Sequence, residues 1–294
     1  MHIHSRALLT LKQKTSIFNL LYYSHIQLVV AAMIITASIN VIVTGNITWG
    51  AVSVVGLSTY LTYSIDNLID WKKDKLNYQN EVLLIKKYHK FTYFLIGLCL
   101  LGILLIILST STAFMIGMAL LGSSVVISTA RLTAYRKLNS RNPETFYGFI
   151  LNRIFISLVW TNVSVFLPLW YVGLPINSQA WSAFIYTWQL IFIYAVLWRL
   201  EKTEGSLRER IVASPLWTVL KVLSITAGLW PVYSVLVGRF PIQNLFNMLP
   251  PLAILILLNR WPASWEKARK QIFLFTLCLV ICGLFTMIMH LIFK

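Results

Sequence analysis

The sequence predicts an all-α, polytopic membrane protein with about nine transmembrane helices. Three observations predict it. The 294 residues are 58% hydrophobic and only 12% charged, with a mean hydropathy of +0.74, whereas soluble chains carry roughly a quarter charged residues. Apolar runs of about 18 residues or more, each enough to cross a hydrocarbon core of about 30 Å, recur from end to end. The lysines and arginines gather in alternate loops between those runs.

The runs are taken in order. Residues 17–43 follow Arg6, Lys12 and Lys14 without a small-residue cleavage site, so they are predicted to stay as the first span. Residues 48–69 end among Asp66, Lys72, Lys73 and Lys75, and 91–109 start after Lys86, Lys87 and Lys90. Residues 112–131 stop at Arg131, 146–169 follow Arg141 and Glu144, and 180–198 stop at Arg199. Residues 214–237 lie between Arg210 and Arg239, 243–259 stop at Arg260, and 271–293 follow Lys270. Helical periodicity within the runs is weak, as expected where lipid and core are both apolar. Without a soluble segment or repeat, residues 1–294 are expected to form a single transmembrane domain.

Counted by side, 21 of the 25 Lys and Arg fall at the N-terminus or in the loops after the second, fourth, sixth and eighth spans. Only Arg239 and Lys294 fall on the other side, while Arg153 and Lys221 lie inside spans. The positive-inside rule then puts the N-terminus inside and the C-terminus outside. All nine acids (Asp66, Asp70, Asp74, Glu81, Glu144, Glu201, Glu204, Glu209 and Glu266) share the basic side. Orientation does not require acids, so charged chemistry is expected at that one face, the cytoplasmic one (of the cell inner membrane if the source is bacterial). A net charge of +16 would suit nucleic acid if it formed a soluble patch. Spread over short interhelical loops it does not, and no nucleic-acid partner is expected.

Asp66, Asp70 and Asp74 are the only aspartates in the chain, four residues apart at the end of the second span. On a helix they form one stripe about 12 Å long. Like charges so arranged repel unless a cation lies among them, and hard oxygen ligands suit Mg²⁺, which takes one or two carboxylates plus substrate phosphates. Asn67 adds an amide, and Lys73 with its neighbours suits an anion. A solvated helix end offset by lysines is the plain alternative. The depth of Asp66 inside an apolar run argues for a polar cavity instead.

The stretch "DNLIDWKKD" resembles the first motif, N-D-x-x-D-x-x-x-D, of the UbiA-type intramembrane prenyltransferases. It reads D-N-x-x-D-x-x-x-D, so Asp70 and Asp74 match the metal-binding aspartates and Asp66 and Asn67 match the leading pair with their order exchanged. Size, span count and loop placement extend the resemblance over essentially the whole chain. It implies an all-helical fold around a cavity, Mg²⁺ as cofactor, and a prenyl diphosphate and a lipid-soluble acceptor as partners alongside membrane lipids.

The family's second motif, D-x-x-x-D after the sixth span, meets "WRLEKTEGSLRER" here. With Glu201 in first place Gly205 falls in the second. In the other alignment Lys202 and Ser206 take both. Glu201 and Glu204 are candidate ligands for a second ion, and salt-bridged loop glutamates are the alternative. In the loop after the fourth span, where the family often has a tyrosine beside a base, stand Tyr135 and Lys137. Arg153 and Lys221 each lie about 10 Å inside their spans. Both could snorkel back to the interface, the expected fate of Lys221, while Arg153 equally suits a bidentate phosphate contact. Tyr63 and Trp160 are candidates to face an allylic cation. Cys99, Cys278 and Cys282 read as small buried residues, and no histidines take a ligand spacing.

The expected activity is Mg²⁺-dependent ionisation of a prenyl diphosphate and transfer of the prenyl group to an acceptor such as an aromatic ring. Two alternatives stand beside it: a UbiA-type terpene cyclase, and a non-catalytic membrane protein that binds lipid or aids assembly.

Overall fold

A computed structural model describes residues 25–70, 79–112, 114–119, 122–123, 146–201, 206–238, 242–261 and 265–293. Within them, the side chains of residues 66–70, 79–88, 201, 206–207, 243 and 265–266 lie outside the description. The described residues are helical, with no strand among them. In chain order the elements are α1 (Ile26–Thr44), α2 (Trp49–Asp70), α3 (Gln79–Leu108), α4 (Phe146–Val172), α5 (Ser178–Glu201), the short α6 (Ser206–Val212) and α7 (Pro215–Leu236). A 3₁₀ helix (Ile242–Met248), α8 (Leu249–Asn259) and α9 (Trp265–Ile292) follow.

Among the described residues, six helices are long and apolar enough to cross a membrane: α1, residues 89–108 of α3, α4, α5, α7 and most of α9. The other three predicted stretches differ for separate reasons. α2 is 22 residues long but carries Ser53, Ser58, Thr59, Thr62, Ser64, Asp66 and Asn67 among its apolar residues. That composition suits a helix turned toward a polar interior. The stretch at 243–259 is broken, because Pro250 and Pro251 lack the amide hydrogens that would carry an α-helix back through them. α8 therefore begins just before the proline pair and is only 11 residues long. Residues 112–131 lie mostly outside the described residues.

α1 is the hub of the bundle, packing against α2, α4, α5 and α9. α4 also packs on α5, α5 on α7, α7 on α8 and α8 on α9. Small and hydroxylated side chains let these helices approach, as membrane helices commonly require. Thr36 of α1 meets Ser164 of α4, Oγ1 to Oγ 3.3 Å. Such a bond is worth about 0.6 kcal/mol in a membrane. Apolar packing supplies the rest. The largest cluster includes Leu28, Phe149, Ile193, Ile211, Leu220, Ile254 and Ile272, and so draws on seven helices.

Candidate functional site

Ring contacts and hydrogen bonds establish which helix ends meet. His25, at the start of α1, has its ring 5.1 Å from Tyr63 near the end of α2 and 6.0 Å from Trp198 near the end of α5. The indole of Trp217, at the start of α7, donates to the carbonyl of Leu258 at the end of α8 (3.2 Å) and lies 5.7 Å from Trp261. At the opposite end, His290 near the end of α9 is 3.0 Å from the carbonyl of Gly45 just past α1, so α1 and α9 run parallel. The starts of α1, α4, α7 and α9 therefore share one end of the bundle with the ends of α2, α5 and α8. That end, called the polar end below, carries the backbone of Asp66, Asn67 and Asp70 on α2 and of Glu201 on α5.

Tyr63, Asn67 and Asp70 follow one another at helical spacings of four and three along α2. Trp198 and Glu201 are three apart on α5. His25 touches both aromatic rings and so ties the aspartate helix to the glutamate helix one to two turns inside their last residues. His25 is 2% exposed and stands in the left-handed region (φ 55°, ψ 12°), which histidine enters more readily than most residues. Its carbonyl accepts the first bonds of α1, from the amides of Leu28 and Val29.

Arg153 sits two turns into α4 and is 9% exposed, with its guanidinium 5.7 Å from the ring centroid of Phe149. Phe149 is itself fully buried in the largest cluster. The arginine thus points into the bundle and does not extend along the lipid surface. Arg269 is equally enclosed, at 7%. Sequence reasoning missed it, because it counted residues 260–270 as a loop. α9 begins at Trp265, and the enclosed Ala268 and Ile272 flank Arg269 on the same helix. A helical reading of "WEKARKQI" would have found that face. Arg208 lies over the Trp261 ring at 5.9 Å, and Lys221, inside α7, is half-buried. Buried guanidinium groups demand anionic or acceptor partners, and their planar forks match phosphate oxygens.

The other predicted residues divide. Trp160 packs near Val54, Phe114 and Leu167, in a different cluster from Tyr63. By chain length along α4 it is about 10 Å farther from the polar end than Arg153. Lys73, Asp74, Tyr135, Lys137 and Glu204 lie outside the described residues, as do the side chains of Asp66, Asn67, Asp70 and Glu201. Among the described residues no three His, Cys, Asp or Glu side chains form a metal-binding group.

No family model, no curated protein and no solved structure matches the chain.

Proposed function

We propose that the chain is a Mg²⁺-dependent intramembrane enzyme that ionises a prenyl diphosphate and transfers the prenyl group to a lipid-soluble acceptor, an aromatic ring being the expected one. The observation that carries this reading is the pairing of two features at one end of the bundle. The helix holding two of the chain's three aspartates ends there, and the enclosed Arg153 and Arg269 lie there. Acid and base of this kind together suit a metal–diphosphate pair.

The donor set fits Mg²⁺. Asp66, Asp70 and Asp74, four residues apart in the sequence, offer only hard oxygens, and Glu201 or Glu204 would complete a second ion's set. When bound, Mg²⁺ supplies charge neutralisation of the diphosphate as it leaves. Arg153 and Arg269 would grip the remaining phosphate oxygens in bidentate fashion, and Lys73 and Lys137, which lie outside the described residues, would add positive charge. The apolar interior beyond them would exclude water from the allylic cation. The ring faces of Tyr63 and Trp198, joined through His25, stand on the aspartate and glutamate helices and are suited to flank that cation. With the N-inside orientation expected from the charge distribution, this end would face the cytoplasm.

A UbiA-type cyclase remains the second reading, favoured by one observation: in either alignment the second motif lacks a carboxylate, at Gly205 in one and at Lys202 and Ser206 in the other. One assay separates the readings. Purified protein and Mg²⁺ are incubated with prenyl diphosphates of several lengths, with and without aromatic acceptors, and products are identified by mass spectrometry. Prenylated acceptor, with pyrophosphate released only in its presence, is the expected result. A cyclic hydrocarbon formed without acceptor would replace the transferase by the cyclase. No turnover at any length would leave a non-catalytic lipid-binding or assembly role.

A further inference from the structure

Away from the polar end, α1, α5, α7, the 3₁₀ helix, α8 and α9 line a small cavity of about 40 Å³. Aliphatic side chains such as Ile35, Ile39, Leu190 and Leu279 line much of it, yet Thr187 and Trp230 line it too. Thr187 is 1% exposed, and its Oγ1 has no hydrogen-bond partner among the described residues. Trp230 Nε1 is likewise buried and without a partner. A hydroxyl and an indole N–H so placed each cost about 1–3 kcal/mol if nothing satisfies them.

The neighbouring polar groups are paired and so cannot turn to serve these two. The Tyr186 hydroxyl donates to the Asn247 carbonyl (2.7 Å), Asn247 Nδ2 donates to Asn244 Oδ1 (3.2 Å), and Thr286 Oγ1 donates to Asn247 Oδ1 (3.3 Å). Residues three apart eclipse in a 3₁₀ helix, which brings the two asparagine amides together. Pro231 of α7, also in the lining, has no N–H to offer the carbonyl of Ala227 one turn earlier.

We propose that this cavity is an internal water site, with one or two waters accepting from Trp230 Nε1 and sharing a hydrogen bond with Thr187 Oγ1. Size and charge select the ligand. A water needs about 10–15 Å³ of such space and two to four polar partners, whereas organic ligands need clefts of about 300 Å³ or more. No charged side chain lines the cavity, so an ion would enter without compensation. The site owes nothing to the catalytic reading and would stand if that reading fell.

The test is X-ray hydroxyl-radical footprinting of the full chain in nanodiscs, because bound water generates radicals that mark adjacent side chains. Trp230 and Tyr186 should be oxidised severalfold faster than Trp217, which is buried at 8% with its Nε1 bonded to Leu258. Thr187→Val keeps the shape and removes the hydroxyl, and should lower the Trp230 and Tyr186 rates severalfold while Trp217 stays unchanged. Thr187→Ser should restore them. Wild-type rates no higher than that of Trp217 would overturn the proposal, as would a Trp230 rate indifferent to Thr187→Val. Should the valine variant fail to fold, the wild-type comparison of Tyr186 with Trp217 decides alone.

Discussion

A carboxylate that holds a metal cannot be replaced by its neighbours, and this separates the two acidic segments residue by residue. Asp70→Ala and Asp74→Ala are each expected to lower Mg²⁺-dependent turnover at least about a hundredfold, the loss of roughly 3 kcal/mol of transition-state stabilisation. Glu201→Ala and Glu204→Ala should each cost less, since neither alignment, with Gly205 in one and Lys202 and Ser206 in the other, leaves a complete second motif there. Rates at saturating prenyl diphosphate and two Mg²⁺ concentrations check this, because a weakened ligand set is partly rescued by more metal. Equal damage from the glutamate changes would mean an intact second site, and no effect from either set would remove the aspartates from catalysis. The two buried arginines show how far such residues are legible. Arg153 could be found by counting from the end of an apolar run, because a charge two turns inside is conspicuous. Arg269 could not be found in that way, since its helix starts six residues before the run does and its burial depends on neighbouring helices. The His25 contacts with Tyr63 and Trp198 bridge sequence separations that no spacing rule reaches.

At the scale of elements, hydropathy located the long helices because length and apolarity are what a membrane helix requires. It could not foresee that the stretch at 243–259 would break, since the prolines that break it are themselves apolar enough to pass. The 3₁₀ turn and α8 together still rise about 30 Å, because a 3₁₀ helix climbs 2.0 Å per residue against 1.5 Å for an α-helix. Helix contacts also hide from hydropathy, as Gly283 illustrates. A Cβ on Gly283 of α9 would lie 2.5 Å from Ile34 Cγ2 of α1, and a β-branched side chain has little freedom to retreat. Gly283→Ala should therefore destabilise by about 1–3 kcal/mol through overpacking, seen as a lower thermal midpoint in detergent. Gly97→Ala on α3, with nothing within 4 Å of the added atom, should leave the midpoint unchanged or slightly raised. Equal effects at the two sites would mean that α1 and α9 do not approach at Gly283.

For the molecule as a whole, the division of charge makes an orientation testable. On the nine-span reading, which puts 21 Lys and Arg on one side and two on the other, reporters fused after Lys294 and inserted near Lys75 should lie on opposite faces of the membrane. Finding both on one face would change the span count from odd to even and remove the chief support for the resemblance. The placement of α3 carries a consequence of a different kind. Only 6% of its apolar window is buried inside the protein, and among the described residues its main packing partner is α2. For α3, then, the bilayer is most of the solvent, and its hold on the molecule is in large part a partition equilibrium. Its 20-residue apolar segment, His89–Leu108, spans about 30 Å, the thickness of an average hydrocarbon core. A thinner bilayer would tilt it, and the tilt would pull first on α2, the helix that carries Asp66 and Asp70. Lipid thickness thereby becomes a variable in the geometry of the polar end, acting on the protein without any ligand or contact of its own.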